Sequence, residues 1–243
     1  LPDVTADKVN VIAKATKGEV KATVTANTAD VLVANLKDAS ATDALTLTVN
    51  GTDAKASDLN TLVGKTSEDI EVDAINVTGN IADLTKLYIT NAANFKDLGD
   101  ETVTISGTVT AAQADSIADK TTAAVTANIA AADANTLNAA LVDANGGANA
   151  YKLTVNGATA AATDLNALVL KTTEAIEVAA KEIAGAQVDL NTLFVTNATN
   201  FTGEEKVAVK ITDVVVAAAQ ADAIANKTSG VVTATIAADE AAA

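Results

Sequence analysis

Apolar positions fall in two alternating rhythms along the chain. Short β-branched runs come first in each unit: Val20 to Val24, Leu45 to Val49, Val103 to Ile105 and Val125 to Ile129. A helical pattern follows, with apolar residues at i, i+3 and i+4, as in Leu59/Leu62/Val63, Leu84/Leu87/Tyr88, Leu165/Leu168/Val169, Leu190/Leu193/Phe194 and Ala221/Ile224/Ala225. The units run about 22 to 33 residues, too short for a strand and helix to bury their own apolar faces, so stacked neighbours must bury them. Short strands joined by short helices predict parallel pairing through right-handed crossovers. The expected fold class is α/β, a right-handed solenoid of short parallel strands alternating with short helices. Roughly nine strands at about 4.8 Å spacing predict a rod near 40 Å long.

The units belong to a longer repeat. Val109 to Ile129 (VTAAQADSIADKTTAAVTANI) returns at 216–236 as VAAAQADAIANKTSGVVTATI, with fourteen of twenty-one positions identical. A worn copy stands at Val4 to Leu36. Leu47-Thr48-Val49-Asn50-Gly51 returns as Leu153-Thr154-Val155-Asn156-Gly157, Asp58-Leu59-Asn60 as Asp164-Leu165-Asn166, and Asn94-Phe95 as Asn200-Phe201. The expected organisation is one continuous repeat solenoid over 1–243: long repeats at 4–108 and 109–215, and a partial third at 216–243. No Pro-, Gly- or Ser-rich linker divides it. The Ala-rich end at 237–243 resembles the start of another helix, which suggests a fragment of a longer array.

Helix ends carry recurring signals. Thr110-Ala111-Ala112-Gln113 is a capping-box pattern with Thr110 as N-cap and Gln113 reaching back. Asp115, Asp133, Asp164 and Asp222 are expected early in helical segments, where a carboxylate opposes the positive helix terminus. Lys65, Lys120, Lys171 and Lys227 are expected at helix exits, where a cation is favoured, and Thr follows each of them. Asn50-Gly51 and Asn156-Gly157 are turn dipeptides. The polar loops holding Asn94, Phe95, Asn200 and Phe201 are candidate partner contacts, although Phe beside such a loop more often tucks beneath it.

Composition narrows the chemistry. Of 243 residues, 49% are apolar but only 2% aromatic, so the core must be thin and built from small side chains. The formal net charge is −15, and all sixteen basic residues are Lys. A nucleic-acid-binding face needs clustered basic residues, usually with Arg, so that class is excluded. Without Cys or His there is no disulfide, thiolate nucleophile, zinc–sulfur site or imidazole base. No apolar run is long enough to span a membrane. Val63-Gly64-Lys65-Thr66 ends like a phosphate-binding loop, but Leu59 stands where its first Gly belongs and Leu170-Lys171-Thr172 lacks Gly altogether. No cofactor is expected. The regular Asp residues could recruit calcium, but helix capping accounts for them better. Adjacent acids at Asp100/Glu101 and Glu204/Glu205 read as solvated loop residues rather than a hydrolase pair.

The segment Ala162 to Thr173, of the form A-x-D-L-N-x-L-x-x-K-T-T, with related copies at Ser57 to Ser67 and Ala114 to Thr122, resembles the arrays of very large tandem-repeat cell-surface proteins of marine cyanobacteria, including the swimming-motility type. The resemblance implies an extracellular or cell-surface, non-enzymatic role as a structural segment of a filament, surface layer or adhesin stalk. The expected partners are neighbouring repeats or copies of the chain end to end. The alternative is a module that recognises a glycan or protein, with or without calcium.

Overall fold

The computed structural model describes residues 3–142 and 148–238; the start of the tail at 237–243 is included, and the remainder of that segment lies outside the described residues. The chain is α/β, with parallel strands in several sheets, helices between them and, among the described residues, no closed barrel. It divides into two compact units, 1–107 with 116–127, and 108–115 with 128–243.

In the first unit, strand Thr48–Val49 pairs with Ile70–Val72, which pairs with Phe95–Lys96. A second ladder joins Asp53–Lys55, Asn76–Asn80 and Thr102–Val109. All pairings are parallel. The two ladders interleave along the chain, so each turn of chain gives one strand to each. The second unit repeats the plan. Thr154–Val155, Ile176–Val178 and Phe201–Thr202 form one ladder, and Thr159–Ala161, Glu182–Gly185, Ala208–Ile211 and Val232–Thr233 form the other.

The register advances almost uniformly. Thr48 lies opposite Glu71 and Asp53 opposite Asn76, each 23 positions on. Ile70 lies opposite Phe95, 25 positions on, and Asn76 opposite Thr102, 26 positions on. The same steps return in the second unit at Thr154/Glu177, Thr159/Glu182, Ile176/Phe201 and Glu182/Ala208. The ladder steps are 23 to 26, and the isolated parallel bridges Val4/Val24, Val216/Ile236 and Asn27/Val49 step by 20, 20 and 22, so the steps stay well short of the upper end of the 22 to 33 expected from the hydrophobic rhythm. The periodic unit is set by hydrogen-bond register, and the loops absorb the variation.

The expected single strand Leu45 to Val49 is two, Ala44–Thr46 and Thr48–Val49, and the strands at 53–55 and 159–161 carry no β-branched run at all. Asp53-Ala54-Lys55 alternates exposed, buried, exposed, and Ala54 is its inward residue. At Asn50-Gly51 and Asn156-Gly157, the glycines take φ of +108° and +113°, a backbone that side chains rarely adopt, and this turns the chain from one ladder to the other.

Helices Ala56–Leu62 and Ala162–Leu168 bury Leu59/Leu62 and Leu165/Leu168 completely. Small residues let the layers approach closely: a Cβ built on Gly185 would lie 2.7 Å from the Ala162 Cβ. Among the described residues each unit also contains one π-helical turn, Lys86–Thr90 and Thr192–Thr196, closed by the Asn91 and Asn197 amides donating to the Lys86 and Thr192 carbonyls at 2.8 Å. No described helix is long and apolar enough to cross a membrane.

Candidate functional site

The polar side chains that recur in both units converge on the joints between successive turns of chain. The Thr after each exit lysine makes the central contact. Thr66 donates its hydroxyl to the Leu45 carbonyl at 2.7 Å, and the same oxygen accepts from the Leu45 amide at 3.0 Å and the Glu68 amide at 3.0 Å. Thr172 does the same with Tyr151 (2.7 and 2.9 Å) and the Glu174 amide (3.1 Å). Thr121 donates to the Glu101 carbonyl at 2.8 Å and accepts from the Ala123 amide at 3.1 Å. Thr228 donates to the Glu205 and Val207 carbonyls and accepts from the Gly230 amide.

The next residue completes each joint. The Ser67, Thr122, Thr173 and Ser229 amides donate to the Asp43, Gly99, Asn149 and Glu205 carbonyls at 2.7 to 2.8 Å. Thr66, Thr121 and Thr172 are buried. A buried hydroxyl must be satisfied, and here it satisfies strand-end peptide groups that the ladder leaves over.

A second relay joins the helices. The Asn60 side-chain amide donates to the Asp83 carbonyl at 2.9 Å, and its oxygen accepts from Asn91 Nδ2 at 2.9 Å. Asn166 repeats this with the Asp189 carbonyl and Asn197, both at 3.0 Å. The Asn of the D-L-N motif is thus a bridge between turns of chain. On the strands, Thr48 donates to Glu71 Oε2 and Thr154 to Glu177 Oε2, both at 3.0 Å. Sequence alone marks Asn60 and Asn166 as parts of a recurring D-L-N motif but gives them no bridging role, and it gives none to the Thr–Glu pairs. The recurrence of D-L-N with a second Asn 31 positions on was the available signal.

Among the sequence candidates, the capping box is formed. The Thr110 amide donates to Gln113 Oε1 at 3.0 Å, and the Gln113 amide to Thr110 Oγ1 at 3.2 Å. Thr110→Ala is expected to lower stability by about 1 kcal/mol, measured by urea unfolding, with Thr110→Ser retaining most of it. Asp133 is an N-cap whose carboxylate accepts from the Thr136 amide (2.9 Å) and hydroxyl (2.7 Å); these bonds hold its pKa below the ordinary aspartate value. Asp164 sits in the first turn of its helix. Asp115 and Asp222 differ from expectation: each is the fifth residue of its helix, Ala111–Ala118 and Ala218–Ala225, past the turn where the dipole is felt.

Lys65 ends a 3₁₀ turn, and its ammonium donates to the Lys37 and Ala39 carbonyls at 3.0 and 3.3 Å, so it caps the exit of the preceding turn of chain as well as its own. The amides of Lys120, Lys171 and Lys227 donate to the Ile117, Leu168 and Ile224 carbonyls at the helix exits. Lys120 also pairs with Asp119 at 2.6 Å. Phe95 and Phe201 are buried at the start of short strands, opposite Ile70 and Ile176. Asn94 and Asn200 close the 3₁₀ turns beside them and are half-buried.

One titratable group stands apart. Glu101 is 2% exposed; its Oε2 accepts from the Gly99 amide at 2.8 Å and the Tyr88 hydroxyl at 3.3 Å, while Oε1 has no partner among the described residues. It borders an open cavity of about 440 Å³ with Asp73, Asp97 and Asp100. Burial raises its pKa above the ordinary 4.5, with the Asp100 charge adding to the effect, and burial beside Glu101 raises the Tyr88 phenol strongly. The second unit places Phe194 where the first has Tyr88, and Glu204 is the buried acid there, its pKa also raised by burial. A carboxyl whose folded pKa exceeds its unfolded one binds its proton first in the folded state, so acidification from pH 7 stabilises that state relative to a neutral isostere. Glu101→Gln is therefore expected to be more stable than wild type at pH 7, with the gap narrowing toward pH 4.5, followed by thermal melts across that range. Among the described residues no group of three or more acidic side chains is arranged to hold a metal ion.

No family model matches the chain, and no curated protein or solved structure matches it.

Proposed function

We propose that the chain is a structural repeat segment, a right-handed solenoid that serves as a spacer in an extracellular filament, surface layer or adhesin stalk, without catalytic activity. The observation that carries this reading is the spending of the recurring polar residues. The Lys-Thr-[Ser/Thr] exits and the asparagines Asn60 and Asn166 recur in both units, and both are consumed in joining one turn of chain to the next. A sequence kept regular for binding would be expected to point its repeated polar groups at solvent. The extracellular and cell-surface setting rests on the resemblance of Ala162 to Thr173 to cyanobacterial tandem-repeat surface proteins. The net charge of −15 suits a spacer, since like charges resist collapse of one region on another.

Small-angle scattering tests the shape: an elongated particle is expected, and a compact, near-spherical one would contradict the spacer. Neighbouring repeats or further copies of the chain are the partners this role requires.

The second reading, a module binding a glycan or protein with the help of calcium, has one observation on its side, the Glu101 oxygen without a partner among the described residues at the cavity of Asp73, Asp97 and Asp100, although these acids are not arranged to hold a metal ion. A melting temperature that rises with added calcium, and fails to rise in Glu101→Gln, would support it over the spacer alone.

A further inference from the structure

We propose that Asn50-Gly51 and Asn156-Gly157, the turns that carry the chain from one ladder to the other, are sites of covalent self-modification in the folded protein. At each, the asparagine side chain loses ammonia and is converted to aspartate or isoaspartate. This goes beyond the spacer reading and does not depend on it.

The reaction has three requirements. The glycine nitrogen must be free to attack, the asparagine side chain must be free to meet it, and the peptide group between them must be able to turn. Both turns meet all three. Asn50, Gly51, Asn156 and Gly157 are exposed. The side chains of Asn50 and Asn156 make no hydrogen bond among the described residues. Asn60, Asn80 and Asn166 differ, because their side-chain amides are held by hydrogen bonds.

The peptide group joining Asn50 to Gly51 is unused at both ends. Among the described residues nothing donates to the Asn50 carbonyl, and the Gly51 amide donates to nothing; Asn156 and Gly157 are the same. Its neighbours are pinned. The Val49 carbonyl accepts from the Asp73 amide at 2.7 Å, the Asn50 amide donates to the Asn27 carbonyl at 3.1 Å, and the Gly51 carbonyl accepts from the Ile75 amide at 3.2 Å. In the second unit the Val155 carbonyl accepts from Ala179 at 2.8 Å, the Asn156 amide donates to Ala132 at 2.9 Å, and the Gly157 carbonyl accepts from Lys181 at 3.1 Å. An unbonded peptide group between bonded neighbours can rotate between its two Cα atoms without breaking a hydrogen bond. Glycine on the far side, at φ of +108° and +113°, has no Cβ to shield its nitrogen and crosses between positive and negative φ readily.

The chemistry balances with water alone. The Gly51 nitrogen gives up its proton to hydroxide and forms a bond to Asn50 Cγ. The Cγ–Nδ2 bond breaks, and Nδ2 takes up a proton and leaves as ammonia. Water then opens the cyclic imide at one of its two carbonyls. Opening at one returns the ordinary backbone with an aspartate side chain. Opening at the other leaves isoaspartate, with the chain routed through the former side chain and one carbon longer. Each event adds one negative charge to a chain already at −15. Isoaspartate also lengthens the link between strands Thr48–Val49 and Asp53–Lys55, or between Thr154–Val155 and Thr159–Ala161. Asn145-Gly146 is a third such pair in the sequence and lies outside the described residues.

The test is peptide mapping by mass spectrometry of wild type aged in mildly alkaline buffer, folded and in urea. The peptides holding Asn50 and Asn156 should each gain the mass of an exchange of NH for O, with both products present. Having to break one hydrogen bond would slow the reaction by about tenfold, so the folded rate should lie within about tenfold of the rate in urea. Asn50→Gln combined with Asn156→Gln keeps an amide at both exposed positions but sets its carbon one methylene too far. That double variant should show no gain in either peptide and an unchanged melting temperature before ageing. A folded chain without gain at these positions, while the chain in urea gains, overturns the proposal. Faster gain at Asn60 or Asn166 in the folded chain, or an equal gain in the double variant, also overturns it. Gain at one turn alone overturns it for the other.

Discussion

Thr66→Val is expected to lower stability by about 3 kcal/mol, although it exchanges one small β-branched side chain for another of nearly the same volume. The hydroxyl makes three bonds in a buried setting, one donated to the Leu45 carbonyl and two accepted from the Leu45 and Glu68 amides. Net worth per bond is about 1 kcal/mol, and a buried peptide group left without a partner costs about 1 to 3 kcal/mol. Valine fills the space and satisfies none of the three. Thr66→Ser keeps the oxygen and should cost far less, so the pair of variants separates hydrogen bonding from packing. Thr172→Val should behave alike, because its three bonds are the same. Chemical denaturation of all three variants gives the comparison. Equal losses for Val and Ser would mean that the methyl group, not the hydroxyl, matters at the joint.

Gly99→Ala should be at least as damaging, at about 3 to 4 kcal/mol, for a reason of backbone rather than bonding. Gly99 takes φ of +120°, outside the range in which an L side chain is comfortable, and strain of that kind costs about 1 to 3 kcal/mol. A Cβ there would stand 2.8 Å from the Lys120 carbonyl oxygen, so the two chain segments must also separate, at a further cost of about 1 to 3 kcal/mol. The shift would pull on two bonds at the same joint, the Thr122 amide to the Gly99 carbonyl and the Gly99 amide to Glu101 Oε2. Gly64→Ala is the control. A Cβ on Gly64 meets nothing within 4 Å, and its φ is ordinary, so its stability should be unchanged or slightly higher. Thermal melts of the two alanine variants side by side would show whether the loss belongs to the position or to glycine in general.

Several elements were readable from the residues alone. The i, i+3, i+4 spacing of Leu59/Leu62 and Leu165/Leu168 marks helices Ala56–Leu62 and Ala162–Leu168, and Val125 to Ile129 is a strand over the span that its alternation predicts. The capping box at Thr110 could be read because all of its atoms lie within four residues. The second ladder could not be read in the same way. Asp53-Ala54-Lys55 and Thr159-Ala160-Ala161 have no strand-forming composition, and they are strands because strands 23 residues on hold them in register. The hydroxyls of Thr66 and Thr172 were hidden for the same reason. Lys-Thr reads locally as a helix exit, while the carbonyl that gives the Thr its role lies 21 positions back. Phe95 and Phe201 sit beside polar loops in sequence but under them in space, since a large ring in an aromatic-poor chain is drawn to the little core there is.

The central claim is that successive turns of chain lie in parallel register, with a step of 23 residues at Thr48/Glu71 and at Thr154/Glu177. The chain has no cysteine, so paired cysteines introduced at chosen positions report only on one another. Thr48 and Glu71 are Cα partners on neighbouring strands, and so are Thr154 and Glu177. Mild oxidation of Thr48→Cys with Glu71→Cys, and of Thr154→Cys with Glu177→Cys, should give an intramolecular cross-link in both units, while Thr48→Cys with Glu68→Cys should give little. Cross-linking that favours the 48/68 pair, or that fails at both 23-residue pairs, would contradict the register and with it the joints on which the account depends.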